Sequence, residues 1–160
     1  MRFYLIDRVT RIEIGKEIEG IKCWSLTNEI FNEHFPGNPI VPGVMLVESS
    51  AQLLGLLIEE SHNEQFHIEN GVYVLLSLIH KAKFRSFVIP GDQCVLKANL
   101  KILDLNRASG FVTTYVEGEP VAEVNLSFVI AKKDDFPENK YMGRHEEYVK
   151  VITNKLSDKT

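Results

Sequence analysis

Hydrophobic and polar positions change period several times along the chain, and each change marks an element. Residues 9–14 alternate and read as a strand, Gly15-Lys16 as a turn, and residues 18–26 as a second strand broken at Gly20. Residues 29–33 fit one helical turn. Across residues 44–58 the apolar side chains (Val44, Met45, Leu46, Val47, Leu53, Leu57 and others) go all the way round at helical spacing. This predicts a helix wrapped by other structure rather than laid on a surface. Residues 59–71 turn polar, with His62, Asn63, His67, Asn70 and Gly71, and read as a long loop.

Strand patterns dominate from residue 72 to residue 131. Residues 72–79 form a mostly apolar run, as in a strand buried on both sides. Residues 81–88 and 95–103 read as strands flanking the turn Pro90-Gly91-Asp92. Residues 107–116 and 121–131 pair as a hairpin across Glu117-Gly118-Glu119-Pro120. The tail differs: Lys132-Lys133-Asp134-Asp135 is a charged break, with Pro137 and Gly143 beyond it. His145, Val149, Ile152 and Leu156 then recur at helical spacing, with Tyr148 alongside, and predict an amphipathic helix over residues 144–156. Two strands, one long helix and several more strands make an α+β domain.

Composition narrows the function. The chain has 160 residues, 44% of them hydrophobic and 25% charged, which suits one globular domain with a core of its own. A net charge of −4 argues against general nucleic-acid binding. Cys23 and Cys94 form no CxxC motif, and the opening apolar run is too short for a secretory leader, so the expected compartment is the cytoplasm. Pro42, Gly43, Glu48 and Gln52 interrupt the one stretch apolar enough to suggest a membrane span. His62, His67, His80 and His145 lack metal-ligand spacing and are expected at the surface.

Chemistry concentrates where a loop with one histidine and three prolines runs into the apolar helix. A carboxylate in such a helix is costly unless partnered or protonated, so Glu48 invites a functional reading. The run His34-Phe35-Pro36-Gly37-x-Pro39-x-x-Pro42-Gly43-Val44-x-x-x-Glu48-x-x-x-Gln52 resembles the active-site signature of the bacterial 3-hydroxyacyl-[acyl carrier protein] dehydratases. Lys83-Phe84-Arg85-x-x-Val88-x-Pro90-Gly91-Asp92 resembles the second motif of the same family. The resemblance covers residues 7–131 and implies the hotdog fold, a curled antiparallel sheet wrapped around one long central helix. The domain is therefore placed at residues 1–131, with 132–160 as an extension carrying the additional C-terminal helix.

The residue types fit that reaction. Dehydrating a 3-hydroxyacyl thioester needs a base for the C2 proton and an acid for the leaving hydroxyl, and His34 and Glu48 supply one of each. Burial favours the uncharged, proton-donating form of Glu48. Gly43 opens the helix, where backbone N–H groups lack partners and the dipole favours negative charge. It precedes Glu48 by five residues, roughly 7.5 Å at helical rise. The resemblance implies that the Gly43 N–H polarises the thioester carbonyl and that the Ile40 carbonyl holds the histidine tautomer. Gln52, one turn past Glu48, either orients that carboxyl group or caps a buried polar gap.

The resemblance further implies an acyl carrier protein as partner, no metal or redox cofactor, and a homodimer or trimer of dimers with His34 of one subunit facing Glu48 of the other. Lys81, Lys83 and Arg85 alternate on one strand face and are candidates for docking an acidic carrier; the plainer alternative is a solvated face. Glu48 rather than aspartate resembles the branch that dehydrates without isomerising. Two positions depart from the pattern: Glu33, where a small residue is usual, and the polar pair Ser49-Ser50. An anion at position 33 pointing inward would make His34 a poorer base. The competing functions are the same dehydration in a specialised polyketide or polyene pathway, and a non-catalytic acyl-binding module. A thioesterase of this fold fits the His34–Glu48 spacing less well.

Overall fold

The computed structural model describes residues 3–69, 71–133 and 142–154. Six strands form one antiparallel sheet: β1 (Arg8–Glu13), β2 (Glu17–Cys23), β3 (Val72–Phe84), β4 (Gln93–Leu103), β5 (Arg107–Val116) and β6 (Glu119–Lys132). Their order across the sheet is β1-β2-β4-β5-β6-β3. The chain leaves β2, makes a 3₁₀ turn at Glu29–Asn32, and enters helix α1 (Gly43–Phe66). That helix crosses the sheet, so β3 pairs with β6 at the edge opposite β1. The curled sheet around one long helix is the hotdog arrangement the sequence implies, with helix α2 (Met142–Thr153) added at the end.

The core lies between α1 and the inner face of the sheet. Leu53, Leu54, Leu57 and Ile58 of α1 are fully buried, each worth about 1.5–3 kcal/mol of transfer free energy before ordering costs. Alternate residues of β6 (Val124, Leu126, Phe128, Ile130) meet them from the sheet. Gly20 does not break β2, as its place in the sequence suggested. A Cβ there would come within 2.8 Å of Leu53 Cδ1, so the glycine lets helix and sheet approach closely. The β5–β6 hairpin closes through Glu117 and Gly118, both at positive φ (51° and 86°), the twist a two-residue hairpin turn requires.

Several expectations need correction. Residues 59–66 are not loop but the last two turns of α1. Two of their polar side chains bond within the fold: Ser61 Oγ accepts the Gly15 N–H at 2.8 Å, and His62 Nε2 lies 3.0 Å from the Leu105 carbonyl oxygen. His62 is therefore buried, not at the surface. The helix ends where His67 turns left-handed at φ 52° and returns its N–H to the Asn63 carbonyl.

Residues 72–79 and 81–88 are not two strands. Val72–Phe84 is one strand with register shifts at Leu76/Leu78 and Ile79/Lys81, and such bulges scramble the two-residue alternation. Nor is the run buried on both sides: Leu75, Leu76, Leu78 and Ile79 are 39–52% exposed along the free edge. Helix α2 begins two residues before its predicted start, and Ile152 is buried while Tyr148 and Val149 are half-buried. The expected stripe members Leu156 and the side chain of His145, together with the residues 134–137 break, lie outside the described residues.

Candidate active site

The loop from His34 to Pro42 is tied to itself before it is tied to anything else. Phe35 and Asn38 exchange backbone hydrogen bonds (3.2 and 3.0 Å), and the Ile40 N–H donates to the His34 carbonyl at 2.9 Å. Gly37 makes the reversal at φ 78°. The His34–Phe35 peptide bond is cis, and the two rings stack with centroids 4.1 Å apart. Val41 then donates to the Val88 carbonyl at 2.8 Å, so the second motif anchors the first. The anchor is itself fixed: Asp92 Oδ2 accepts the Ile89 N–H, and the Gly91 N–H reaches the Trp24 carbonyl.

This frame sets the imidazole. His34 Nδ1 lies 2.9 Å from the Ile40 carbonyl oxygen. A carbonyl only accepts, so Nδ1 carries the hydrogen and the neutral ring presents Nε2 as its basic nitrogen. Glu33 is exposed, and among the described residues no hydrogen bond or ion pair links it to His34. The other departure, Ser49-Ser50, is internal to the helix: both hydroxyls are buried and donate to carbonyls one turn back, at Met45 and Leu46.

Gly43 is the first residue of α1, and its N–H has no intrahelical acceptor. A Cβ at this position would fall 2.8 Å from Phe84 Cζ. The missing side chain thus lets the Phe84 ring sit against the helix start.

Glu48 is half-buried, less enclosed than an all-round apolar helix suggested. Its Oε1 accepts from Gln52 Nε2 at 3.0 Å. Gln52 in turn donates to the Phe3 carbonyl (2.9 Å) and accepts the Leu5 N–H through Oε1 (2.8 Å). Donors and acceptors on both sides fix the amide's orientation. The second Glu48 oxygen takes no hydrogen bond among the described residues. Glu48 opens into a cavity of about 570 Å³ bounded by α1, β3, the N-terminal segment and α2.

His34 is not among the residues lining that cavity. Within one chain, then, Ile40 is brought to His34 and Gln52 to Glu48, with no hydrogen bond among the described residues joining His34 to Glu48. Lys81, Lys83 and Arg85 are all exposed. Arg85 is committed to Glu123, at 2.8 and 3.2 Å, and its guanidinium holds that carboxyl below the usual carboxylate range. Sequence reasoning missed the Phe84–Gly43 contact, the Val41–Val88 bond, and the Glu59–Lys133 ion pair (3.2 Å) inside the cavity. Each joins residues far apart in the chain, and only the apolar Phe84 and Val88 beside Pro90-Gly91-Asp92 gave a signal. Among the described residues no three His, Cys, Asp or Glu side chains are arranged to hold a metal ion, and no helix is long and apolar enough to cross a membrane.

The FabA-like domain model matches residues 1–125. The 3-hydroxyacyl-[acyl-carrier-protein] dehydratase FabZ of Sulfurovum sp. (strain NBC37-1) is 43% identical over 138 residues, covering 82% of this chain and 89% of that protein. The protein of the same description from a Nitratiruptor species is 40% identical over 136 residues, with 82% and 89% covered. Among solved structures, a hypothetical thioesterase protein with coenzyme A from Streptococcus pneumoniae TIGR4 superposes with a TM-score of 0.62 at 10% identity, covering 78% of this chain and 85% of that one. At that identity the likeness speaks to the fold alone.

Proposed function

Because the chain belongs to the FabA-like family, we propose that it is a 3-hydroxyacyl-[acyl carrier protein] dehydratase of fatty acid biosynthesis, a hydro-lyase that uses His34 as base and Glu48 as acid. The observation that carries the residue assignment is the pair of holds, Ile40 on His34 Nδ1 and Gln52 on Glu48 Oε1. Each leaves one reactive atom, Nε2 or the second carboxyl oxygen, without a protein partner among the described residues.

The steps balance without any other reactant. His34 Nε2 takes the C2 proton of a (3R)-3-hydroxyacyl thioester while the Gly43 N–H receives the charge developing on the thioester oxygen. The C3–O bond breaks, protonated Glu48 gives its proton to the departing hydroxyl, and water leaves with the trans-2-enoyl thioester. Transfer of the proton from His34 back to Glu48 resets the pair.

Two copies complete the site. In the proposed homodimer, His34 of one subunit faces Glu48 of the other. Support comes from His34 neither bonding Glu48 nor lining its cavity among the described residues, and from the β3 edge. A long strand carrying four exposed leucine and isoleucine side chains is a template for pairing with another chain.

Acyl carrier protein brings the substrate. Lys81 and Lys83 are the docking candidates, since Arg85 already pairs with Glu123. The reading puts the enzyme in the cytoplasm, and the free thiols Cys23 and Cys94 fit a reducing compartment. The test is direct: purified protein with 3-hydroxyacyl carrier substrates, water elimination being followed by the appearance of the enoyl product. Binding without turnover overturns the enzyme reading.

A further inference from the structure

The cavity beside Glu48 has a far end, and the C-terminal helix helps build it. One stripe of α1 floors the cavity: Glu48, Ala51, Gln52, Gly55, Leu56 and Glu59 recur at three- and four-residue spacing. From Glu48 to Glu59 the stripe runs about 16 Å along the helix axis. Its middle is low, because Gly55 has no side chain and a Cβ there would meet nothing within 4 Å. Packing therefore does not demand this glycine, which costs a helix interior about 1 kcal/mol relative to alanine. What it leaves is open volume.

The opposite wall includes α2, beyond residues 1–125 that the family model matches. Val149 and Ile152 line the cavity. Tyr148 locks the helix in place: its hydroxyl donates to the Ile6 carbonyl at 2.6 Å and accepts the Ile6 N–H at 2.9 Å. Its ring stacks on Tyr4 with centroids 4.0 Å apart.

The far end is charged. Glu59 and Lys133 pair at 3.2 Å with side chains only 16% and 13% exposed. An apolar chain end pushed against them would strip the pair of its remaining water and offer no hydrogen bond in return.

With the acyl chain seated in this cavity, as the dehydratase reading requires, we infer that Gly55, Val149 of the added helix α2 and the Glu59–Lys133 pair set the longest chain accepted. The inference rests on the dehydratase reading, because Glu48 at one end fixes where the C3 hydroxyl lies and hence which way the chain runs. Gly55 and Val149 are specificity determinants here, not catalytic residues.

The experiment compares kcat/KM for 3-hydroxybutyryl and 3-hydroxydodecanoyl carrier substrates in the wild type, Gly55→Leu and Val149→Ala. Circular dichroism and melting temperature establish that each variant is folded. A methylene gained or lost in an apolar pocket shifts discrimination on the order of tenfold or more. Gly55→Leu fills the floor and should lower the long-to-short ratio at least about tenfold, chiefly through KM for the long substrate. Val149→Ala opens the α2 wall and should raise that ratio. If Gly55→Leu is too unstable to assay, the rise in Val149→Ala alone decides the matter. Ratios equal to wild type in the folded variants overturn the inference while leaving dehydration intact. Absence of turnover by wild type on either substrate overturns the dehydratase reading instead.

Discussion

Gln52 and Glu48 sit one helical turn apart, and the amide of the first holds the carboxyl oxygen of the second at 3.0 Å. The same amide is clamped by the backbone at Phe3 and Leu5, so the N-terminal segment positions the Glu48 carboxyl through Gln52. Replacing Gln52 with leucine leaves the Leu5 N–H and Phe3 carbonyl unpaired, at about 1–3 kcal/mol for each group that stays dry. The melting temperature should fall by several degrees, at about 2–4 °C per kcal/mol for a chain of this size. Activity should fall about tenfold or more in kcat with a smaller change in KM, since a misplaced acid harms the transition state more than binding. Steady-state kinetics on the folded variant check this. Unchanged kcat with a lowered melting temperature makes Gln52 a stability residue only.

Alkaline pH should weaken the fold from two places. Burial pushes the Cys94 thiol from 9.0 up to about 12, and burial likewise pushes the Tyr148 phenol from 10.0 up to about 12, against the pull of its Ile6 hydrogen bond. Both groups keep their protons in the folded chain after the unfolded chain has released them. The unfolded state then binds fewer protons, so stability present below pH 9 is lost as pH rises toward 12. Thermal melts from about pH 8 to about pH 11 should show a falling midpoint. Tyr148→Phe should start lower at neutral pH, having lost both Ile6 bonds, and should fall less steeply above pH 10. A midpoint flat across this range contradicts the burial of both groups.

The readable parts of the chain are those whose physics is local. Prolines and glycines between His34 and Gly43 define the loop, the apolar run after Gly43 defines the helix, and Glu117-Gly118 defines the hairpin. Where partners are distant, the pattern misleads. Ser61 and His62 look like loop residues until Gly15 and Leu105 arrive to accept or supply their hydrogen bonds. Val72–Phe84 looks like two strands because bulges at Ser77 and His80 reset its alternation. Its apolar residues suggested a buried strand, whereas β3 takes the sheet edge. The Ile40 contact to His34 and the Gln52 contact to Glu48 match what the motif implies, but the Glu59–Lys133 pair spans 74 positions and had no sequence signal.

Subunit mixing tests the shared site. His34→Ala and Glu48→Gln subunits each lack one half, so a heterodimer of the two holds one complete site and one doubly deficient site. Co-expressed, separately tagged and purified as the mixed species, it should recover about half of wild-type activity while each parent stays inactive. Inactivity of the verified heterodimer contradicts a site built from two chains.

Charge reversal at Lys81 and Lys83 tests the docking face. Steering by such charges changes encounter rates by about tenfold or more, and salt screens exposed charges over about 10 Å at 0.1 M. Lys81→Glu with Lys83→Glu should reduce kcat/KM for carrier-linked substrate well beyond any loss on a short thioester mimic. The gap should narrow as salt rises. Equal losses on both substrates make the face an ordinary solvated one.

The most direct measurement is water elimination from a 3-hydroxyacyl carrier substrate by His34→Ala and by Glu48→Gln, each verified as folded and assembled. Because the proposed mechanism gives each group a different proton to move, each variant should lose at least about a hundredfold in kcat, the low end for a general acid or base. A folded, assembled variant of either kind that turns over near the wild-type rate would contradict acid–base dehydration by this pair.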